Sequence, residues 1–415
     1  MSGKTELRLF DHDLPQLVVD SACFTDINPS TSLSENASTI DFTINASDTD
    51  YLDLNDSLLY LRLKVTTSDG KNIAATSLST PSNFFMNALF SDVMLSLNDT
   101  VIEGGNHLYP YKSTIESIFS LNSDAKRIQL LPMGYQDDEV KRKAWILESR
   151  TCELAGALRL DFFNQPKYLL PGVSVKLTMQ RSKAKFSLTH GNGDPVVKIL
   201  AAKLYVRRVK VNPSVLLGHR LGLAKKNALY SYNRGQVVSY SIPAGSLSHY
   251  KDNLFSMTLL PKFVIACFVS SASFNGSDLE SDPFKFEHFN VNSVGLFRDG
   301  QAIPYRDLYE PDFENKLYTR EYVKSIIHQT QHLNTNLTNG IDMEKFANGG
   351  YTFFTFNLTP DFDYTQSQMP RDGNLRLEVK FAGALAKSIN VIVYATFDSQ
   401  LQITKERQII CDNVH

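Results

Sequence analysis

The chain has 415 residues, 42% hydrophobic residues and a formal net charge of −2. A single hydrophobic core rarely grows beyond about 250–300 residues, so this length predicts two domains. The near-zero net charge excludes a global basic field that would attract nucleic acid or an acidic membrane. Four cysteines lie far apart in sequence, without zinc-knuckle or redox spacing, which favours free thiols in a reducing compartment: Cys23, Cys152, Cys267 and Cys411.

Residues 1–10 contain no apolar run that resembles a signal peptide. The longest apolar stretches, such as Phe263–Val269, have the length of a strand and are too short to cross a bilayer. We therefore expect a chain that is made in the cytosol and has no membrane span.

The first third of the chain is predicted to be an arm followed by strands. Residues 1–36 mix apolar, polar and proline positions, which suits an extended N-terminal arm that docks on another surface, such as a neighbouring subunit. Alternation of apolar and polar residues then begins at Thr39–Ile44 and returns at Leu58–Val65. Residues 120–149 are polar with mixed charges and are predicted to form an elaborated loop between strands.

Asn212-Pro213 breaks both helices and strands, so we place the domain junction there. The prediction is a first domain over 37–212 and a second over 213–400. The second opens with a linker helix over 213–226 and is followed by a C-terminal tail over 401–415.

The two halves repeat one pattern about 200 residues apart. In each, an apolar strand, a polar turn and a second strand precede a tyrosine-containing amphipathic segment. The corresponding segments are Asp92–Asp99, Val101-Ile102 and Tyr109–Phe119 in the first half, and Val291–Gly300, Ala302–Tyr305 and Leu317–Ile327 in the second. Many short strands with few helices predict an all-β fold: two tandem eight-stranded jelly-roll β-sandwiches with a few short helices in loops.

Few residues suggest chemistry. His328 and His332 have metal-ligand spacing, but Gln329 stands where zincins carry glutamate, and surface histidines are favoured. The carboxylates at 48, 50 and 53 lack the glycine and terminal glutamate of a calcium loop, and Asp11-His12-Asp13 is similarly weak. The sequence also contains no Gly-x-Ser-x-Gly element. No catalytic, cofactor-binding or metal site is predicted, and the chain is not expected to be an enzyme.

Basic residues cluster around the junction between the halves. One interpretation is a patch that faces nucleic acid, with salt-dependent affinity. The other is a solvated face balanced by acids elsewhere, which the lack of an accompanying aromatic stacking motif favours. The residues are Lys203, Arg207, Arg208, Lys210, Arg220, Lys225 and Lys226.

Several runs, in this order over roughly residues 40–400, resemble the capsid-like proteins of Polinton (Maverick) elements and of adintoviruses. No single run is a mechanistic motif, and the resemblance rests on their number and order. They are Asp50–Leu54, Leu89–Asp99, Tyr109–Lys112, Lys167–Gly172, Tyr205–Lys210, Phe284–Val291, Pro311–Asn315 and Gly373–Glu378.

The resemblance implies a double jelly-roll major capsid protein of the lineage that includes adenovirus hexon. In that lineage three chains form a pseudo-hexameric capsomer, which tiles an icosahedral shell around double-stranded DNA. The implied partners are further copies of the chain, penton or minor capsid proteins and, by non-specific contact, packaged DNA. The implied location is the virion, after synthesis in the host cytosol and assembly in the host nucleus. Segments 120–149 and 328–350 are the candidates for outward decoration or contact between subunits.

Jelly rolls also occur in other classes of protein. A carbohydrate-binding or adhesive β-sandwich is the main alternative, and it would call for a secretion signal and exposed aromatic platforms. A cupin-like enzyme would need a tight histidine and glutamate ligand set. A single jelly-roll vertex protein conflicts with the duplicated pattern.

Overall fold

The computed structural model describes residues 17–34, 37–189, 195–255, 259–277, 282–304, 308–327, 339–360 and 367–411. The strands of the first half are β1 (Val19–Ile27), β2 (Thr39–Ile44), β3 (Asp50–Thr67), β4 (Thr80–Pro81), β5 (Phe90–Leu97), β6 (Thr100–Glu103), β7 (Cys152–Gly156), β8 (Val175–Arg181), β9 (Leu188–Thr189) and β10 (Pro195–Val211).

The strands of the second half have a similar range of lengths. They are β11 (Ala228–Ile242), β12 (Ser248–Lys251), β13 (Phe263–Ser270), β14 (Val291–Arg298), β15 (Gln301–Ile303), β16 (Phe354–Asn357), β17 (Leu375–Phe381), β18 (Ile389–Ile403) and β19 (Ile409–Cys411).

Helices lie between the strands and are mostly short. They are α1 (Phe85–Ala88), α2 (Tyr109–Ser120), α3 (Ser123–Ala125), α4 (Glu139–Ile146), α5 (Ala184–Ser187), α6 (Pro213–Leu223), α7 (Ser271–Phe274), α8 (Thr319–Tyr322) and α9 (Met343–Ala347). Single turns of 3-10 or π-helix cover Lys126–Leu130, Leu131–Met133, Leu147–Ser149 and Val323–Ile327.

Both halves use one strand order. The first half has the sheets β1-β10-β3-β7 and β2-β8-β5-β6, besides the small pair β4-β9. The second half has β11-β18-β13-β16 and β12-β17-β14-β15, with β19 added beside β18. In each half, these two sheets contribute eight strands along their four-stranded orders. When the eight strands are numbered in chain order, the two sheets have the strand orders 1-8-3-6 and 2-7-4-5 in both halves. These antiparallel, long-connection pairings are those of a jelly roll, so the predicted fold class is confirmed.

The sheet β11-β18-β13-β16 lies between two cores. Every residue of β13 is buried. Phe263, Ile265 and Cys267 belong to the core that continues into the first half, whereas Val264 and Ala266 belong to the second half's own sandwich. A strand covered on both faces is apolar throughout instead of alternating. The uninterrupted apolar run of β13 is thus explained by its position in the middle of the molecule.

The predicted repeat is confirmed in detail. Both hairpins form, as β5–β6 and β14–β15, and each is followed by helical segments, α2 in one half and α8 in the other. Helix α6, Pro213–Leu223, lies within the segment 213–226 that was predicted as a linker helix and ends three residues before that segment does.

The chain ends differ from the simple expectation of an arm and a tail. Residues 19–27, inside the segment predicted as an arm, form β1 and pair with β10 of the same chain. Strand β18 continues past residue 400 to Ile403, and β19 in the predicted tail pairs with it. Both ends therefore supply strands to the sheets.

Candidate assembly surfaces and the interface between the halves

Helix α2 stands at the centre of the interface between the halves. Pro110 occupies its first turn, where the missing N–H costs nothing. The buried Tyr111 ring stacks on Phe274 with centroids 5.4 Å apart and meets Phe284 edge-on at 5.7 Å. On the opposite end of α2, Phe119 contacts Phe353 at 5.2 Å. These aromatic contacts belong to the core that the two jelly rolls share, which is separate from the second half's own sandwich core.

A buried ionic cluster, the Lys112 cluster, consists of Lys112, Glu103, Glu116 and Asp161. The Lys112 ammonium donates to Glu103, lies 2.8 Å from Asp161 Oδ1 and lies 3.7 Å from Glu116 Oε1. All four side chains are 5–13% exposed. The three carboxyls come from the end of β6, from α2 and from the segment after β7, so the cluster ties three parts of the first half together.

The second half closes this cluster. The Gly235 backbone N–H of β11 donates to Asp161 Oδ2 at 3.0 Å, and the Tyr394 hydroxyl of β18 donates to Glu116 Oε1 at 3.2 Å. A Cβ at Gly235 would stand 2.6 Å from Glu116 Oε1 and 2.9 Å from Lys112 Cε. Position 235 therefore requires glycine for close approach of the strand.

Burial governs the protonation of the cluster. It raises the pKa of Glu103 to about 8 and that of Glu116 to about 7, and the neighbouring Asp161 carboxylate adds to both increases. Burial alone would lower the pKa of Lys112, but the carboxyls of Asp161, Glu103 and Glu116 together hold it well above its usual value. Glu116 Oε2 is buried and has no hydrogen-bond partner among the residues that the structure describes, which suits it to carry a proton. The cluster thus joins the halves around one permanent cation.

A second set of contacts fixes segment 120–149 onto the second half. Arg142 pairs with Asp282 at 3.2 Å and also donates from Nε to the Pro81 carbonyl at 2.9 Å. Asp137 accepts from the Tyr351 hydroxyl at 2.6 Å and from Lys345 at 2.8 Å. These contacts hold segment 120–149, the candidate for outward decoration or contact between subunits, against the second half of its own chain.

Helix α6 is the most exposed apolar element at the junction. None of its residues is buried, and Leu217 and Leu221 are 58% and 59% exposed. Tyr51 hydrogen-bonds His219 Nδ1 at 2.7 Å and so holds the helix to β3. An apolar cavity of about 560 Å³ lies beneath α6, between the two halves. Exposed leucines on a fixed helix are the kind of surface that another protein covers.

Two of the seven residues in the predicted basic cluster pair with acids in the structure. Lys203 pairs with Asp26 at 2.8 Å, and Arg207 pairs with Asp53 at 3.0 Å and Asp56 at 2.6 Å. Arg220 donates to the backbone carbonyl of residue 48 at 3.0 Å. Balance by nearby acids, the favoured interpretation, is therefore correct for Lys203 and Arg207.

The carboxylates considered for a calcium loop do not converge. Asp53 pairs with Arg207, whereas Asp50 accepts a hydrogen bond from the neighbouring Thr49 hydroxyl at 3.1 Å. Within the described ranges, no group of three histidine, cysteine or acidic side chains could hold a metal ion. His328, His332 and Asp11-His12-Asp13 lie outside the described residues.

All four cysteines are free thiols, as predicted. Cys267 is fully buried in β13, and Cys23 is exposed on β1. In the part of the chain that the structure describes, no helix is both long and apolar enough to cross a membrane.

Sequence comparison finds one extended relative. No family model matches the chain. The uncharacterised protein F54H12.2 of Caenorhabditis elegans is 25% identical over 394 residues, which cover 90% of this chain and 93% of that protein.

Structural comparison finds viral proteins that align along nearly the whole chain. The Faustovirus major capsid protein superposes with a TM-score of 0.61 at 10% identity, covering 95% of this chain and 92% of its own. The mavirus major capsid protein superposes with a TM-score of 0.57 at 12% identity, covering 98% of this chain and 93% of the mavirus chain. A chain of the Sputnik virophage structure superposes with a TM-score of 0.63 at 11% identity, covering 99% of this chain and 92% of the Sputnik chain. The chain is a double jelly roll. At such identities the likeness concerns the fold.

The sequence showed part of this interface. Lys112 and Glu116 stand four residues apart in the amphipathic segment Tyr109–Phe119, a spacing that in a helix allows an ion pair. Asp161, Gly235 and Tyr394 carry no local signal, because their role depends on the packing of one jelly roll against the other.

Proposed function

We propose that the chain is a major capsid protein whose homotrimer forms a pseudo-hexameric capsomer of an icosahedral shell around double-stranded DNA. The observation that carries the proposal is the whole-chain likeness of this double jelly roll to the major capsid proteins of mavirus and Faustovirus. In this role the chain has no catalytic function, and it needs no cofactor or metal.

The rigid union of the halves supports a trimeric capsomer. Three chains, each with two jelly rolls of one strand order, would place six similar sandwiches around one axis. The Lys112 cluster and the stacking of Tyr111 on Phe274 fix the angle between the halves. A shell subunit needs this fixed angle, because a hinge would let the outline of the capsomer vary.

We propose that α6 contributes to contacts between copies of the chain. Leu217 and Leu221 are exposed there, and obligate assemblies bury interfaces of more than about 2,000 Å² that are rich in apolar residues. Phe24, 58% exposed on edge strand β1, offers a second apolar contact in the same half.

The finer assignments rest on the sequence resemblance. We propose membership of the Polinton and adintovirus lineage, penton or minor capsid partners, a place in the virion, and assembly in the host nucleus. We also propose that the chain divides at Asn212, immediately before α6. Contact with packaged DNA would be non-specific and would use Lys225 and Lys226, which are exposed.

The test is the mass of the purified protein by light scattering behind size exclusion, followed by negative-stain imaging. We expect a particle of about 140 kDa, three times the 46.7 kDa chain, with a hexagonal outline. A monomer that stays monomeric at high concentration and with a penton partner would contradict the proposal. Glycan arrays would then test the carbohydrate-binding alternative.

A further inference from the structure

A small polar cavity of about 240 Å³ lies where segment 120–149 meets the second half. Its walls come from the short helical turns after α2, from the loop before α4, and from the residues at and before α9. The side chains that matter here are Ser123, Lys126, Arg127, Asp137, Asn339 and Lys345. Since a liquid water occupies about 30 Å³, the cavity has room for a polyatomic ion and a few waters.

Lys126 is a buried ammonium with too few acceptors. It is 5% exposed, and its Nζ donates to the backbone carbonyl of Asn339. An ammonium carries three N–H donors, and among the described residues this carbonyl is its hydrogen-bond acceptor. Burial, helped by the positive charge of Lys345, lowers the pKa of Lys126 to about 7, although Asp137 opposes that decrease. The ammonium is therefore short of acceptors although the side chain is almost fully buried.

Asn339 supplies a second unused donor. The residue is 4% exposed, and its Oδ1 accepts the backbone N–H of Ile341 at 3.2 Å, which fixes the orientation of the amide. Its Nδ2 is buried and, among the described residues, has no hydrogen-bond partner. A buried amide N–H₂ without an acceptor is destabilising, so an acceptor on this side of the cavity would be stabilising.

The carboxylate that lines the cavity, Asp137, already has a hydrogen-bond donor on each oxygen. Asp137 Oδ1 accepts from Tyr351 at 2.6 Å, and its Oδ2 accepts from Lys345 at 2.8 Å. Lys345 thus neutralises Asp137, which leaves Lys126 and Arg127 as the positive charges of the lining. Arg127 is 79% exposed, with Asp124 3.9 Å away, and so marks the solvent side.

We propose that this cavity binds a small tetrahedral oxyanion of the size of sulfate or inorganic phosphate. One oxygen would accept from Lys126 Nζ and another from Asn339 Nδ2, so both unused donors would be satisfied by one ligand. Because Lys126 belongs to the first half and Asn339 to the second, the bound ion would join segment 120–149 to the other jelly roll. The proposal stands independently of trimer formation.

The experiment is titration calorimetry of the full chain with sulfate at constant ionic strength. Sulfate keeps its charge between pH 6 and 8.5, so any pH dependence of affinity belongs to the protein. We expect binding at pH 6 that weakens at least tenfold by pH 8.5, because Lys126 must be charged to bind the anion. Burial opposes both changes, but the ion pair between Asp137 and Lys345 lowers the pKa of Asp137 and raises that of Lys345, so both stay charged over this range. Burial raises the pKa of Tyr135, which therefore stays neutral.

Two variants and one control locate the site. Lys126→Met removes the ammonium with little change in length, and Asn339→Asp replaces the free donor with a repelling carboxylate. We expect each to lose at least tenfold in sulfate affinity at pH 6, whereas Lys141→Met, on exposed α4 of the same segment, leaves it unchanged. If the wild-type protein binds no sulfate at 10 mM, or if Lys126→Met binds as tightly as wild type, the proposal is wrong.

Thermal unfolding of the wild-type protein tests the proposal even if a variant does not fold stably. Sulfate at a saturating concentration should raise the melting temperature of the wild-type protein by several degrees at pH 6 and by much less at pH 8.5. An equal increase at both pH values would indicate general salt stabilisation and would overturn the proposal without any substitution.

Discussion

Replacing Lys112 by methionine isolates the cation that holds the interface between the halves. Methionine has a similar length and keeps the apolar stem, so the change removes mainly the ammonium. Glu103, Glu116 and Asp161 would then share a buried space without the ammonium that pairs with all three. Breaking a buried ion pair on one side costs about 3–5 kcal/mol. We expect the free energy of unfolding to fall by this amount at pH 8.5.

The loss of unfolding free energy caused by Lys112→Met should be smaller at lower pH. In the variant the carboxyls lose the attraction of Lys112, which opposes the effect of burial on the pKa of Glu103 and Glu116 in the wild-type protein. Their pKa values therefore rise further, and the folded variant takes up protons instead of holding unpaired charges. At pH 5.5 the solution is below the raised pKa values of these carboxyls, so proton uptake by the folded variant requires little free energy. The difference in stability between wild type and variant should consequently be smaller at pH 5.5 than at pH 8.5.

Urea denaturation followed by the fluorescence of Trp145, the single tryptophan, measures both quantities. Lys203→Met is the matched control, because its pair with Asp26 lies at the surface, with side chains 38% and 52% exposed. Exposed pairs contribute little. If Lys112→Met lowers the urea midpoint no more than Lys203→Met, or if its deficit does not depend on pH, the assigned role of the cluster is wrong.

Three further outcomes follow from the same interface and from α6. Burial raises the pKa of Glu116 to about 7 in the folded state, whereas the unfolded chain has the ordinary, lower pKa of a glutamate. The folded state therefore binds this proton more tightly, and the contribution of Glu116 to the free energy of unfolding falls as the pH rises between the two values. Glu116→Gln should flatten the decrease in urea midpoint between pH 5.5 and 8.5. Gly235→Ala should cost about 1–3 kcal/mol in the same assay, since its Cβ would overlap Glu116 and Lys112, and an unchanged midpoint would contradict the close approach. Leu217→Asp combined with Leu221→Asp should weaken self-association at least tenfold by sedimentation with little change in melting temperature, whereas Val140→Asp, 77% exposed elsewhere, should leave association unchanged.

The sequence predicted the sheets better than the contacts between them. Alternation in Thr39–Ile44 and the apolar run of β13 were sufficient to predict strands, because period and length are local properties. They did not reveal that Ile265 faces a different core from Val264, since the covering layer comes from the other half.

Charge patterns were harder to interpret. The polar segment 120–149 was a candidate for outward decoration or contact between subunits, and nothing local shows that its Arg142 pairs with Asp282 in the other half. The basic cluster was interpreted correctly where each cation has an acid on the paired strand, as Lys203 has Asp26. Long-range pairing thus decided both outcomes, and a single sequence does not encode it in any local pattern.

The core shared by the two jelly rolls has a consequence for the precision of anything built by repeating this chain. The angle between the sandwiches is fixed by stacked rings such as Tyr111 and Phe274 and by buried charges. Angular error inside one subunit therefore stays small and does not accumulate from copy to copy. All curvature of a larger array must then arise at the boundaries between subunits.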